Sequence, residues 1–159
     1  GGKVINMCHL KAYRNILFFT TAEAATLIGG CCEKDWQAME DGQRAAPTDV
    51  EKQILDLIAW RQNAIDAVSS QILDTPGSPI NLIIFYETLD EWASLPGREP
   101  TLWRPHQSVC ASLLAMHPDQ TRLIVFNGPA YASWLAGRPD SEKMRALWAT
   151  HADQANPAN

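Results

Sequence analysis

Long hydrophobic runs are missing from this sequence. The longest, Leu82 to Tyr86 and Leu123 to Phe126, fall far short of the roughly 20 apolar residues needed to cross a bilayer, so a soluble protein without a membrane partner is expected. A surplus of positive charge is missing too. Thirteen Lys and Arg face 18 Asp and Glu, a formal charge of -5, and no global positive field marks a nucleic-acid or membrane binder. Any polyanion contact must rest on locally placed charge. The chain opens with no basic-then-apolar leader, and Gly1-Gly2 reads as a processed tag remnant, so the expected location is cytoplasmic.

Cysteine is scarce and badly spaced for a disulfide framework. Cys31 and Cys32 are adjacent, with Cys8 and Cys110 apart from them. Adjacent cysteines cannot join without strain and lack the gap of a zinc knuckle, so free thiols are expected rather than a cluster of Cys8, His9, Cys31 and Cys32. Catalytic motifs are absent as well. His9, His106, His117 and His151 are scattered, and no Gly-x-Ser-x-Gly, Gly-x-x-x-x-Gly-Lys or His-Glu-x-x-His pattern occurs. The neighbouring carboxylates Glu40-Asp41 and Asp90-Glu91 diverge on a helix instead of facing one substrate. Neither catalysis nor a cofactor or metal is expected.

What is present is a globular core and strong helix punctuation. With 159 residues and 46% hydrophobic residues, the chain suits one domain or two small ones. Leu10, Tyr13 or Arg14, and Leu17 recur at helical spacing, predicting a helix from about Val4 to Phe18. Thr20-Thr21-Ala22-Glu23 reads as a capping box opening a short helix that ends at Gly29-Gly30. A second short helix, about Cys32 to Asp41, carries Trp36 and Met39 on one face and stops at Gly42. Thr48-Asp49-Val50-Glu51 reads as another capping box and launches the longest stripe, with Val50, Ile54, Leu57, Ile58, Ile65, Val68 and Ile72 sharing a face from Thr48 to about Leu73.

The turn-rich Asp74 to Pro79 predicts a linker between two units, residues 3–75 and 78–155. Beyond it, Ile80 to Tyr86 and Arg122 to Asn127 read as strands. Helices are expected after the capping box at Thr88-Leu89-Asp90-Glu91, from Trp103 to Met116, from Pro129 to Ala136 and from Ser141 to Ala152, before a polar tail at Asn156 to Asn159. Trp92, Trp103, Trp134 and Trp148 read as core or dimer seam. The expected fold is mostly α with a small α+β second unit: an N-terminal helix-turn-helix bundle followed by a dimerising C-terminal domain.

The pair of short helices carries the functional signal. In a helix-turn-helix the first helix braces the second, which enters the major groove, and small residues are needed where they cross. Ala25 and Gly29 meet that need. With Trp36 and Met39 turned inward, Glu33, Lys34, Gln37 and Ala38 face outward, with Cys32 at the helix start. Lys34 can donate to guanine acceptors and Gln37 can pair with adenine. Cys32, Glu33 and Ala38 would adjust base preference, and Thr21, Gln43 and Arg44 would fix the DNA backbone. From Lys3 to Arg61, seven Lys and Arg face eight Asp and Glu, which suits a binder that touches few phosphates per subunit and gains affinity by dimerising. The rival is a protein-interaction module, antitoxin-like or scaffold, that keeps the shape without useful DNA affinity. An RNA leader is a third partner, for which no stacking platform is legible.

The stretch TTAEAATLIGGCCEKDWQAMEDGQRAAP, Thr20 to Pro47, resembles the helix-turn-helix of phage-repressor-like (Cro/C1-type) regulators, whose second helix commonly ends in Trp-Glu-x-Gly followed by a basic residue and proline. Here Met39-Glu40-Asp41-Gly42 precedes Arg44 and Pro47, and the turn is one residue longer. The longer stretch, from Leu10 through DWQAMEDGQRAAPTDVEKQILDL to LIIFYETLDEW and WRPHQSVCASL, is similar to the YdiL-like proteins and the anti-CRISPR-associated autorepressors related to them. The similarity spans roughly Met7 to Phe126. It implies a dimeric repressor of its own or a neighbouring operon, with the N-terminal unit reading inverted-repeat DNA and the C-terminal unit joining the subunits. By position, Lys34 stands where the recognition helix carries arginine, Trp36 and Gln37 match, and Ala38 replaces an aromatic residue. Gln43 replaces the basic residue after Gly42.

Overall fold

The computed structural model describes residues 7–74, 77 and 79–155, with the side chains of Met7 and Cys8 excepted. The expected helix start at Val4, the linker residues Thr75, Pro76 and Ser78, the tail Asn156 to Asn159 and the Cys8 thiol lie outside the described residues. The molecule is mostly helical with a two-stranded parallel sheet. No helix among the described residues is long and apolar enough to cross a membrane. The contacts divide the chain into two compact units. Of the described residues, the first holds those up to Ala64 with Arg104–Val109, and the second holds those of 65–103 with those of 110–155.

The first unit opens with α1 (Met7–Ile16). It stops two residues before the periodicity suggests, because Phe18 takes a left-handed φ of 70° that no α-helix accommodates. Thr20 then caps α2 (Thr21–Ala24): its hydroxyl accepts from the Glu23 amide and the Glu23 carboxylate accepts from the Thr20 amide, both halves of the expected box. The helix widens into a π turn over Ala25–Gly29 and ends at Gly30, whose φ of 58° suits glycine. α3 (Glu33–Glu40) follows.

α4 (Thr48–Asp74) matches the expected span. Its start differs in one detail: Thr48 is already helical, and the Pro47 carbonyl accepts from the amides of Val50 and Glu51. Proline supplies the entry because it has no amide to lose there. In this unit Leu10, Leu17, Trp36, Val50 and Ile54 are buried almost completely. Each aliphatic member contributes about 1.5–3 kcal/mol of transfer free energy.

The second unit is built on β1 (Asn81–Phe85) and β2 (Thr121–Val125), paired in parallel from Asn81 opposite Thr121 to Phe85 opposite Val125. Parallel neighbours need a long crossover, and here it contains α5 (Leu89–Ala93), a 3-10 turn (Pro100–Leu102) and α6 (Trp103–Met116). The Thr88 hydroxyl caps α5 by accepting from the Glu91 amide. α7 (Gly128–Leu135) and α8 (Glu142–Ala155) complete the unit.

Tyr86, Trp92, Trp103, Ile124, Phe126, Tyr131 and Trp148 form its core, with Trp134 packed half-buried against it. Aromatic polar atoms are satisfied inside: Trp103 Nε1 donates to the Tyr86 carbonyl at 2.9 Å and Trp92 Nε1 to the Glu99 carbonyl at 2.8 Å. Arg145, only 2% exposed, lies over the Phe126 ring at 4.7 Å and pairs with Asp140 at 2.8 Å. The tryptophans thus serve mainly as core.

Candidate nucleic-acid interface

α3 is eight residues long, and its inner face fixes its orientation. Trp36 is fully buried and Met39 is 5% exposed. The close approach of α3 to the preceding turn depends on Gly29, where an added Cβ would lie 3.1 Å from Trp36 Cε3 and 2.8 Å from Cys31 Sγ. Ala25 is buried in the same turn. Of the two small residues singled out in the sequence, Gly29 thus stands where backbone meets indole.

The C-terminal end of α3 is tied to α1 by a charged network the sequence reading did not anticipate. Arg14 donates to both oxygens of Glu40, at 2.6 and 3.1 Å, and to the Phe19 carbonyl at 3.0 Å. Trp36 Nε1 donates to the same Glu40 carboxylate at 2.7 Å. The two side chains are only 10% and 6% exposed, so the pair is shielded from salt and every lone pair matters. The sequence did carry a clue, since Arg14 falls on the buried stripe of α1 and Glu40 lies one turn beyond Trp36.

On the outer face, Cys32, Glu33, Lys34 and Gln37 are exposed, whereas Ala38 is half-buried. Cys32 takes an extended φ and ψ at the helix start without a side-chain capping bond. Lys34 and Gln37, one turn apart, lie on one side of the helix. Among the described residues no carboxylate pairs with Lys34.

The other candidates are more engaged. Thr21 donates its hydroxyl to Glu33 Oε1 at 2.5 Å. The amides of Gln43 and Arg44 both turn back to the Ala38 carbonyl, at 2.9 and 3.3 Å. Only their side chains therefore remain for outside contacts. Arg44 also meets Asp35 at 3.1 Å, both about half exposed, a pair weak enough to exchange for a phosphate.

α2 has its own anchor. Arg104 forms a bidentate pair with Glu23, at 2.9 and 2.8 Å. Burial alone would raise the Glu23 pKa, but the Arg104 hydrogen bonds and charge and the Thr20 amide and hydroxyl hold it below the ordinary value. At Cys31 burial comes first, joined by the Asp35 charge, and both push the thiol above its usual range. It therefore stays protonated at neutral pH and packs as a small apolar group. No group of three or more His, Cys, Asp or Glu side chains among the described residues is placed to hold a metal ion.

A family profile described as Aca2/YdiL-like matches residues 5–123. The Aca2 repressor of Pectobacterium phage ZF40 is 36% identical over 103 residues, which cover 64% of this chain and 86% of that protein. The span matched by the profile contains α1 to α6, β1 and the first three residues of β2, and it includes every residue of the α3 face. The chain belongs to the Aca2/YdiL-like family.

Proposed function

We infer that this protein is a cytoplasmic, non-enzymatic transcriptional regulator, a dimeric repressor that binds an inverted repeat in double-stranded DNA. The observation that carries this reading is the outer face of α3, where exposed Lys34 and Gln37 stand opposite the buried Trp36 and Met39. A helix held by its inner face and free on its outer face is suited to the major groove. The name of the phage relative, a repressor, supports the same direction.

In this reading α2, the π turn and α3 form a helix-turn-helix within a DNA-binding domain of residues 3–75, and residues 78–155 hold the subunits together. Lys34 donates to guanine O6 or N7 and Gln37 pairs with adenine N6 and N7. Cys32, Glu33 and Ala38 set base preference, Gln43 and Arg44 secure register on the backbone, and Thr21 could reach a phosphate only by giving up the hydroxyl hydrogen it donates to Glu33. The net charge of -5 makes each subunit a weak binder alone. Two subunits presenting α3 about 34 Å apart meet successive major grooves and multiply that affinity.

Selecting bound duplexes from a random library tests the proposal. Enriched sequences should show twofold symmetry with half-sites about one helical turn apart. A structured RNA leader enriched over every duplex would make RNA the partner. Failure to enrich either nucleic acid would favour an interaction module of antitoxin or scaffold type, consistent with the acidic balance.

A further inference from the structure

We propose that Glu33 selects a cytosine in each half-site and that Thr21 is the residue that positions its carboxylate; this rests on the DNA-binding reading of α3. Glu33 is exposed on the first turn of α3, on the same side as Gln37 one turn later. A carboxylate brought toward a polyanion is repelled, so its presence on this face lowers affinity unless a base donor meets it. One of its two oxygens is engaged: the Thr21 hydroxyl, from the preceding helix, donates to Oε1 at 2.5 Å. That bond fixes a side chain that would otherwise sample many rotamers. Among the described residues, Oε2 has no protein donor.

The major-groove edges decide which base can meet it. Guanine offers N7 and O6 and thymine offers O4, all acceptors that repel a carboxylate. Adenine offers the N6 amino group, but its N7 lone pair lies beside it. Cytosine offers the N4 amino group with no adjacent acceptor, so it is the base a fixed carboxylate prefers. Specificity here comes from exclusion as much as attraction: the wrong base leaves an unpaired charge at the interface.

The full-length protein is titrated with the selected inverted repeat and with duplexes in which each base pair is changed in turn in both half-sites. For the wild type, replacing the cytosine facing Glu33 by guanine or thymine should weaken binding by about tenfold or more. Glu33→Ala should flatten preference at that position alone, keep the preferences set by Lys34 and Gln37, and bind random duplex at least as tightly because a negative charge is gone. Glu33→Gln keeps an acceptor for Thr21 but adds donors, so guanine becomes tolerated. Thr21→Val should retain the cytosine preference at a smaller ratio. A Glu33→Ala or Glu33→Gln base profile matching the wild type overturns the proposal while leaving DNA binding intact. No duplex binding by the wild type overturns both.

Discussion

Lys34 is the residue on which duplex binding should depend most. It is exposed, at the start of a helix whose other face is locked, and the described structure gives its ammonium no competing ion pair. Lys34→Ala is expected to weaken operator binding at least tenfold, about 1.4 kcal/mol, without changing the oligomeric state; fluorescence anisotropy at fixed salt and sedimentation of the same samples check both parts. Lysine lacks the bidentate fork of arginine, so Lys34→Arg should tighten binding to a guanine-containing half-site. Gly29 makes the complementary case for stability. An added methyl meets Cys31 Sγ and the Trp36 ring, and the buried indole has no room to retreat. Gly29→Ala should cost about 1–3 kcal/mol, read as a lowered midpoint in a urea melt, and Gly29→Val should cost more.

Among the elements, α3 is held by two different kinds of contact. The Trp36 face supplies apolar burial, and the Arg14–Glu40–Trp36 network supplies direction. Breaking a shielded ion pair from one side strands the other charge, so Arg14→Met or Glu40→Ala should each destabilise by about 3–5 kcal/mol. The double substitution should cost less than the two effects added together, and a double-mutant cycle by denaturant unfolding measures the difference.

Much of this level was legible in the residues. The capping box at Thr20, the Thr88 hydroxyl cap of α5, the stripe of α4 and the span of α6 followed from periodicity and end signals. The π turn did not, because an extra residue before Gly30 reads equally as a longer loop or a wider helix turn. Nor did the pairs Arg14–Glu40 and Glu23–Arg104, whose partners lie 26 and 81 residues apart: long-range ion pairs leave no local pattern. On the α3 face, sequence assigned exposure to Lys34, Gln37, Glu33 and Cys32 through the 3.6-residue repeat. It overstated Ala38, which the returning chain at Gln43 and Arg44 half covers.

For the whole molecule, titration sets the working range. In the first unit Glu23 has its pKa lowered from 4.5, with burial opposing and Arg104 and Thr20 prevailing. In the second, the hydrogen bond from Arg145 lowers Asp140 from 3.8, against burial and with help from Tyr131. Lowered carboxylate values mean that the unfolded chain binds more protons in acid, so this stabilisation is complete above the unfolded pKa and disappears as pH falls through the folded one. At the alkaline end the sign reverses. Burial and the Asp140 hydrogen bond push the Tyr131 phenol from 10.0 up to about 12, and burial pushes the Cys110 thiol from 9.0 up to about 12. Their contribution is complete below the unfolded values and is lost as pH rises toward 12. Thermal melts should therefore show a plateau between about pH 5 and 9 with a decline on either side. Arg104→Met should shallow the acid limb, and a melting temperature independent of pH below 4 would contradict the Glu23 assignment.

Assembly and DNA recognition meet in one titration. Anisotropy of a labelled inverted-repeat duplex, set beside a scrambled duplex of the same composition, is followed across rising salt. Binding by the α3 face should favour the inverted repeat, saturate at two chains per duplex and fall linearly in log affinity against log salt, as displacement of phosphate counterions requires. Equal affinity for both duplexes, insensitive to salt, or one chain bound per repeat at saturation, would contradict a symmetric pair reading DNA through Lys34 and Gln37.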